Sequence, residues 1–146
     1  MQIGRASVGK ALLMIHGDAE VGRILRRANT EETNPDMRVS VAKVRADLKE
    51  SRERGWTESR GAVLARSNTF AMPMPSMPNH PPLVIGIGTT VVESDQRRPD
   101  IVAALKAFCE SIAFDIASQV YIADDGAVLL REWTEVVDQP IAAMRR

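Results

Sequence analysis

Gly86 and Gly88 stand one residue apart inside the β-branched run Leu83–Val92, and no other pair of residues in the chain narrows the chemistry as much. Bounding prolines and the Val/Ile/Thr content predict a strand there. Alternation puts Ile85, Ile87 and Thr89 on one face and both glycines on the other. Glycine weakens a strand and marks places where a ligand or another backbone comes close. The third glycine and the strand–turn–helix setting of a dinucleotide fingerprint are missing, so nucleotide binding is a weak reading of Gly86-Ile87-Gly88.

Few other groups could react. Serine hydrolysis needs a nucleophile, a base and an orienting acid, but the chain has 2 histidines, His16 and His80, and no Gly-x-Ser-x-Gly elbow. Cys109 falls on the apolar stripe of a helix, where a cysteine packs rather than reacts. No Cys-x-x-Cys or His-x-x-x-His pair anchors a metal, and Asp124-Asp125-Gly126 lacks the rest of a calcium loop. No catalytic residue, metal or cofactor is expected. A concave site without reactive groups is left: a helix opening at Ser7 and Val8, small polar side chains at Ser59 and Thr69, and the bare Gly86/Gly88 face. Free N–H groups and the dipole at a helix start favour a carboxylate, although Ser7 also reads as an ordinary structural cap.

The elements that position these groups follow from periodicity. Ser7 predicts a cap for a helix over Val8–Ile15. Val21, Ile24, Leu25 and Ala28 mark a second helix, and Ser40 to Arg54 a third, highly charged one that Gly55 ends. Arg23, Arg26 and Arg27 read as a solvated face rather than a phosphate site. Strands are predicted from Trp56 to Val63, from Ser67 to Met74 and over Leu83–Val92, with prolines 73, 75, 78, 81 and 82 at strand ends and in the connecting loop. Pro99 starts a long helix with Ile101, Leu105, Phe108, Ile112 and Ile116 as its stripe. A turn at Asp124–Gly126 and a last amphipathic piece around Leu129 and Trp133 follow.

Composition sets the outer limits. The chain has 146 residues, enough for one domain, with 45% hydrophobic and 26% charged residues. Lys plus Arg and Asp plus Glu are each 19, so the basic excess of a nucleic-acid-binding surface is missing. One cysteine rules out an intrachain disulfide and fits a reducing cytoplasm. No apolar run reaches the roughly 20 residues that span a bilayer. A cytoplasmic protein without membrane contact is expected.

Ala6-Ser7-Val8-Gly9-Lys10-Ala11-Leu12-Leu13 resembles the helix opening in the effector-binding domain of IclR-type bacterial transcription regulators. Arg52-Glu53-Arg54-Gly55-Trp56 is similar to that family's Arg-x-x-Gly-aromatic step, and Ala71-Met72-Pro73 to its Ala-Ala-Pro-like segment. The resemblance runs from about Ala6 to Ser118. It implies an α+β, GAF-like fold: a twisted, mainly antiparallel sheet with packed helices, as an effector-binding domain over 1–118. The extension over 119–146, expected to be helical, runs past the usual end of the family and is not assigned by the resemblance. The resemblance also implies a ligand-sensing and oligomerising domain for a small organic or aromatic acid, held by Ser7, Val8, Ser59, Thr69, Gly86 and Gly88. A homo-oligomer, dimer or tetramer, would contact DNA only through a winged helix that this chain does not contain. That reading treats the chain as a fragment, a truncation, or a domain whose missing edge a partner supplies. Relatives often carry an acidic residue at Ser59, cysteine at Thr69, serines at both glycines and Gly-Pro at Thr89-Thr90, so a roomier pocket with fewer donors is expected. The competing reading is an interaction module whose pocket no longer binds a ligand; a small enzyme ranks last.

Overall fold

Three helices, a three-stranded sheet and a long closing helix succeed one another along the chain. The computed structural model describes residues 3–76 and 80–122. Its elements are α1 (Ser7–Met14), α2 (Asp18–Glu31), α3 (Val41–Arg54), β1 (Thr57–Arg60), β2 (Ser67–Pro73), β3 (Val84–Thr90) and α4 (Val91–Ile122). The expected α+β class holds. Two compact units divide the chain, Met1–Cys109 and Glu110–Arg146. In the second, the described residues continue α4 to Ile122; the expected turn at Asp124–Gly126 and the amphipathic piece around Trp133 lie outside the described residues.

The apolar positions of the first three helices converge as the 3.6-residue period requires. Leu13 of α1, Val21 and Leu25 of α2, and Val44 and Leu48 of α3 form one buried cluster. The ends of the helices are held by named groups. Ser40 Oγ accepts the Lys43 amide at 3.3 Å, and Gly55, at φ 87°, ends α3 in the left-handed conformation. Arg52 reaches back from α3 to donate to the carbonyls of Met14 (3.2 Å) and His16 (2.7 Å), which the end of α1 leaves without helical partners. Ser7 does not cap α1 as expected. Ala6 is the N-cap, and Ser7 is already the first helical residue, its side chain making no capping bond because the residue is turned into the interior.

The sheet has the order β1-β2-β3, antiparallel throughout. One face carries Thr57 and Ser59 from β1, Thr69 and Ala71 from β2, and Gly86 and Gly88 from β3; α1 packs on it. Glu58, Asn68, Phe70, Ile85 and Ile87 lie on the other. There Phe70, fully buried, meets Trp56 with ring centroids 5.6 Å apart, and the Arg98 guanidinium stands 5.7 Å over the Phe70 ring.

Two boundaries differ from expectation. β1 stops at Arg60, where the chain turns through Gly61 at φ 63°, instead of continuing to Val63. The last strand ends at Thr90, and α4 begins at Val91 rather than at Pro99. Thr90 Oγ1 accepts the Glu93 amide at 3.1 Å, half of the reciprocal Thr-x-x-Glu cap, so the helix starts with no linker. Pro99 still opens a helical segment, because Arg97 (φ −129°, ψ 22°) breaks α4 two residues before it.

Arg60 and Asp95 tie β1 to α4 by a two-pronged ion pair, with Nη2 to Oδ2 at 2.8 Å. That hydrogen bonding holds the Asp95 carboxyl below its ordinary range. A depressed carboxylate contributes stability above its unfolded pKa and loses it as pH falls through the folded value. Asp95→Asn is expected to lower the unfolding midpoint at neutral pH, and the difference from the parent to close in acid and in high salt; chemical denaturation across pH reads this out. Gly9 supplies a sharper test. A Cβ there meets the Ile3 backbone at 2.3–2.8 Å, whereas one at Gly17 meets nothing within 4 Å. Gly9→Ala is expected to cost about 1–3 kcal/mol by overpacking, and Gly17→Ala far less, by urea unfolding.

Candidate functional site: the start of α1 over the sheet

The candidate site lies where the first turn of α1 meets the small-residue face of the sheet. Antiparallel register aligns Ser59, Thr69 and Gly88 in one row across the three strands, and Thr57, Ala71 and Gly86 in the next. None of these side chains is larger than threonine, so α1 can approach closely. Its backbone is stitched to β1 at two points. The Ser7 amide donates to Ser59 Oγ at 2.8 Å, and Thr57 Oγ1 donates to the Ser7 carbonyl at 2.8 Å, with the Ala71 carbonyl 3.2 Å away. Lys10, one turn on, pairs with Asp47 of α3 at 2.5 Å and lies 3.4 Å from the Glu58 carbonyl.

All six residues singled out from the sequence lie either in the first turn of α1 or on the sheet face that α1 packs against, but they are not equivalent. The Ser7 amide is engaged by Ser59. The Val8 amide has no partner among the described residues, as expected for an orphan N–H of a first turn. Ser7 Oγ is buried, with the residue 1% exposed, and makes no hydrogen bond. Val8 is 43% exposed, so the helix start is open to solvent. The glycines also differ. A Cβ on Gly86 lies 3.3 Å from Val8 Cγ2 and from the Phe70 carbonyl, whereas on Gly88 the nearest atom is Thr69 Oγ1 at 4.0 Å. Val8 fills the room that Gly86 leaves. Only Gly88 opens free space.

Two hollows lie away from this row. One of about 360 Å³ is lined by Ile3, Ile24, Arg27, Ala28, Glu31 and Glu32. Arg27 there already pairs with Glu31 at 2.8 Å, which leaves a rim poorly suited to an acid. The other, of about 250 Å³, lies between Ile15 and the proline loop around His80. Neither hollow is lined by a residue of the small-residue rows or of the first turn of α1. Among the described residues, no group of three or more His, Cys, Asp or Glu is placed to hold a metal. Nor is any helix among them long and apolar enough to cross a membrane.

Residues 1–114 match the family described as bacterial transcriptional regulator IclR, C-terminal. The chain belongs to that family. Solved structures agree on the fold. The effector domain of an IclR regulator from Acinetobacter sp. ADP1 superposes with a TM-score of 0.67 at 20% identity, covering 75% of this chain and 63% of that one. The C-terminal domain of the E. coli transcriptional regulator KdgR gives 0.64 at 20%, covering 76% and 68%. An IclR-family regulator from Brucella abortus gives 0.63 at 22%, covering 77% and 44%. The chain thus spans between 44% and 68% of the length of these relatives. No curated protein matches it.

Within this IclR-type domain, two contributors escaped the sequence reading. Thr57 fastens α1 to the sheet, and Thr90 with Glu93 fixes where β3 gives way to α4. The second had a signal, the Thr90-Val91-Val92-Glu93 spacing of a capping box; the first had none, because an isolated threonine in a strand carries no address. Ser59→Ala leaves the buried Ser7 amide without an acceptor and is expected to cost about 1–3 kcal/mol. Ser59→Thr keeps the hydroxyl and should lose much less, as equilibrium unfolding of the two variants can show.

Proposed function

We propose that the chain is the ligand-sensing and oligomerising domain of an IclR-type regulator, and that it takes a small organic or aromatic acid at the start of α1. The observation that carries the reading is the combination of the unpartnered Val8 amide, the buried and unpartnered Ser7 Oγ, and the free space over Gly88. The Val8 N–H and the positive end of α1 attract the carboxylate. Ser7 Oγ, free to donate, and Thr69 Oγ1 complete its hydrogen bonding, Ser59 holds the helix start in place, and the body of the acid lies over Gly88. Ser7 contributes its hydroxyl rather than its amide. Gly86 contributes indirectly, by letting Val8 sink against β3.

An acid that binds one arrangement of the oligomer more tightly than another shifts the population toward it by that difference in affinity. In a complete regulator the shift biases attached DNA-reading heads, which act in the cytoplasm. The formal net charge of zero gives this chain no overall basic excess for DNA. The same geometry supports a second reading, an interaction module with a vestigial pocket: Val8 occupies the Gly86 space and the Ser7 amide is already paired.

Thermal shift against a library of small mono- and dicarboxylates and aromatic acids separates the two. One acid at about 100 times its Kd should stabilise the fold by about 2.7 kcal/mol. Gly88→Leu, which fills the open position, should abolish that shift while leaving the unliganded midpoint close to the parent's. Silence across the library at millimolar concentration favours the interaction module.

A further inference from the structure

Alternation along β1 gives this strand of four residues two sets of partners. Thr57 and Ser59 face α1 and hold both backbone groups of Ser7. Ser59 Oγ accepts the Ser7 amide and Thr57 Oγ1 donates to the Ser7 carbonyl, each at 2.8 Å. Glu58 and Arg60 face α4 instead, where Arg60 pairs with Asp95 and Glu58 with Arg98. Those two partners lie on opposite sides of Arg97, the residue at which α4 leaves helical geometry. One short strand thus grips the start of α1 on one face and both sides of a helix break on the other.

Helical hydrogen bonding leaves the angle of that break unset. Pro99 has no N–H to offer the Asp95 carbonyl four residues back, and its ring crowds that carbonyl. Side chains take over: Arg97 lies 3.6 Å from Glu93 before it and 3.6 Å from Asp100 after it. On the sheet, fully buried Asn68 stands opposite Arg60 in the β1–β2 register. Its Nδ2 donates to Glu58 Oε1 at 2.6 Å and to Ser94 Oγ at 3.0 Å. Its Oδ1 makes no hydrogen bond among the described residues. A buried acceptor left unpaired is costly, so a rearranged network that uses Oδ1 recovers part of what the rearrangement spends elsewhere.

We infer that β1 is a coupling strap: the seating of Ser7 on Ser59 and the bend of α4 at Arg97 are two ends of one device, and displacing either changes the other. The peptide units that join Ser59 to its neighbours are planar and stiff, and β1 is hinged to β2 along their ladder. A tilt of β1 about that ladder that follows Ser7 therefore swings Glu58 and Arg60 in the opposite sense, and with them Arg98 and Asp95. The strap operates in the chain without a ligand. Its use as the output of an acid site at the start of α1 rests on the proposed function.

Amide hydrogen exchange on the intact chain, with no acid present, tests the coupling. By helical period the Val102 and Ala103 amides bond to the carbonyls of Arg98 and Pro99, just past the break. Ser59→Ala should speed their exchange by about threefold or more, beyond the common factor that core amides such as Leu25 report. Coupling is reciprocal, so Asp95→Asn should speed exchange at the Ser7 amide in the same way. Glu31→Gln, which removes the Arg27 pair on α2, should move neither. If Ser59→Ala fails to fold, Asp95→Asn decides alone. A Ser7 amide that exchanges in Asp95→Asn no faster than the core factor allows overturns the inference. A silent acid library beside coupled exchange removes the acid site and leaves the strap, whereas a stabilising acid beside uncoupled exchange does the reverse.

Discussion

How close α1 can come to the sheet governs the rest of this structure. A helix normally packs on a sheet through large apolar side chains that hold the two backbones about 10 Å apart. Here the facing positions are Thr57, Ser59, Thr69, Ala71, Gly86 and Gly88, and the helix answers with Ser7, Val8 and Ala11. The spacing shrinks until backbone groups of the helix bond to strand side chains directly, through Ser7 and the hydroxyls of Thr57 and Ser59. The usual gain from burying bulky residues is smaller on this face. It is offset on the other side of the helix, where Leu13 joins Val21, Leu25, Val44 and Leu48, and on the other side of the sheet, where Phe70 is sealed by Trp56 and Arg98. The chain concentrates its large side chains in two flanking layers and leaves a polar, thin seam between them. A recognition site fits such a seam because polar groups are already there.

That division explains which parts of the molecule could be read in the sequence. The helices were legible because their apolar residues recur with a period of 3.6 and their ends carry Ser40 and Gly55. The face of β3 was legible because Gly86 and Gly88 interrupt a β-branched run with a period of two. The assembly of Ser7, Ser59, Thr69 and Gly88 around one helix start came from family resemblance, since partners some 50 residues apart leave no local trace. What the sequence could not convey is how each group is used. Whether the Ser7 amide is free depends on where Ser59 Oγ points, and whether Gly86 leaves a void depends on the rotamer and seating of Val8. Both are matters of tertiary fit. The start of α4 belongs to a third kind: Thr90 and Glu93 were in view, but a run of Val, Thr and Ile outweighed them, and β-propensity yielded to a cap.

Membership of the IclR family and the solved relatives converge on the same arrangement of helices and antiparallel sheet. At identities near 20% it is the layers that persist, not the side chains.

The junction of β3 and α4 has a mechanical consequence. Strand ends at Thr90 and helix begins at Val91, so nothing between them can stretch. Gly88 is two residues from Thr90, whose hydroxyl holds the Glu93 amide. Any sliding of β3 along its axis must either break that bond or carry the first turns of α4 with it. A loop of even three residues would absorb such a displacement; a joint of zero length behaves as a crank, converting travel of the strand into movement of a helix.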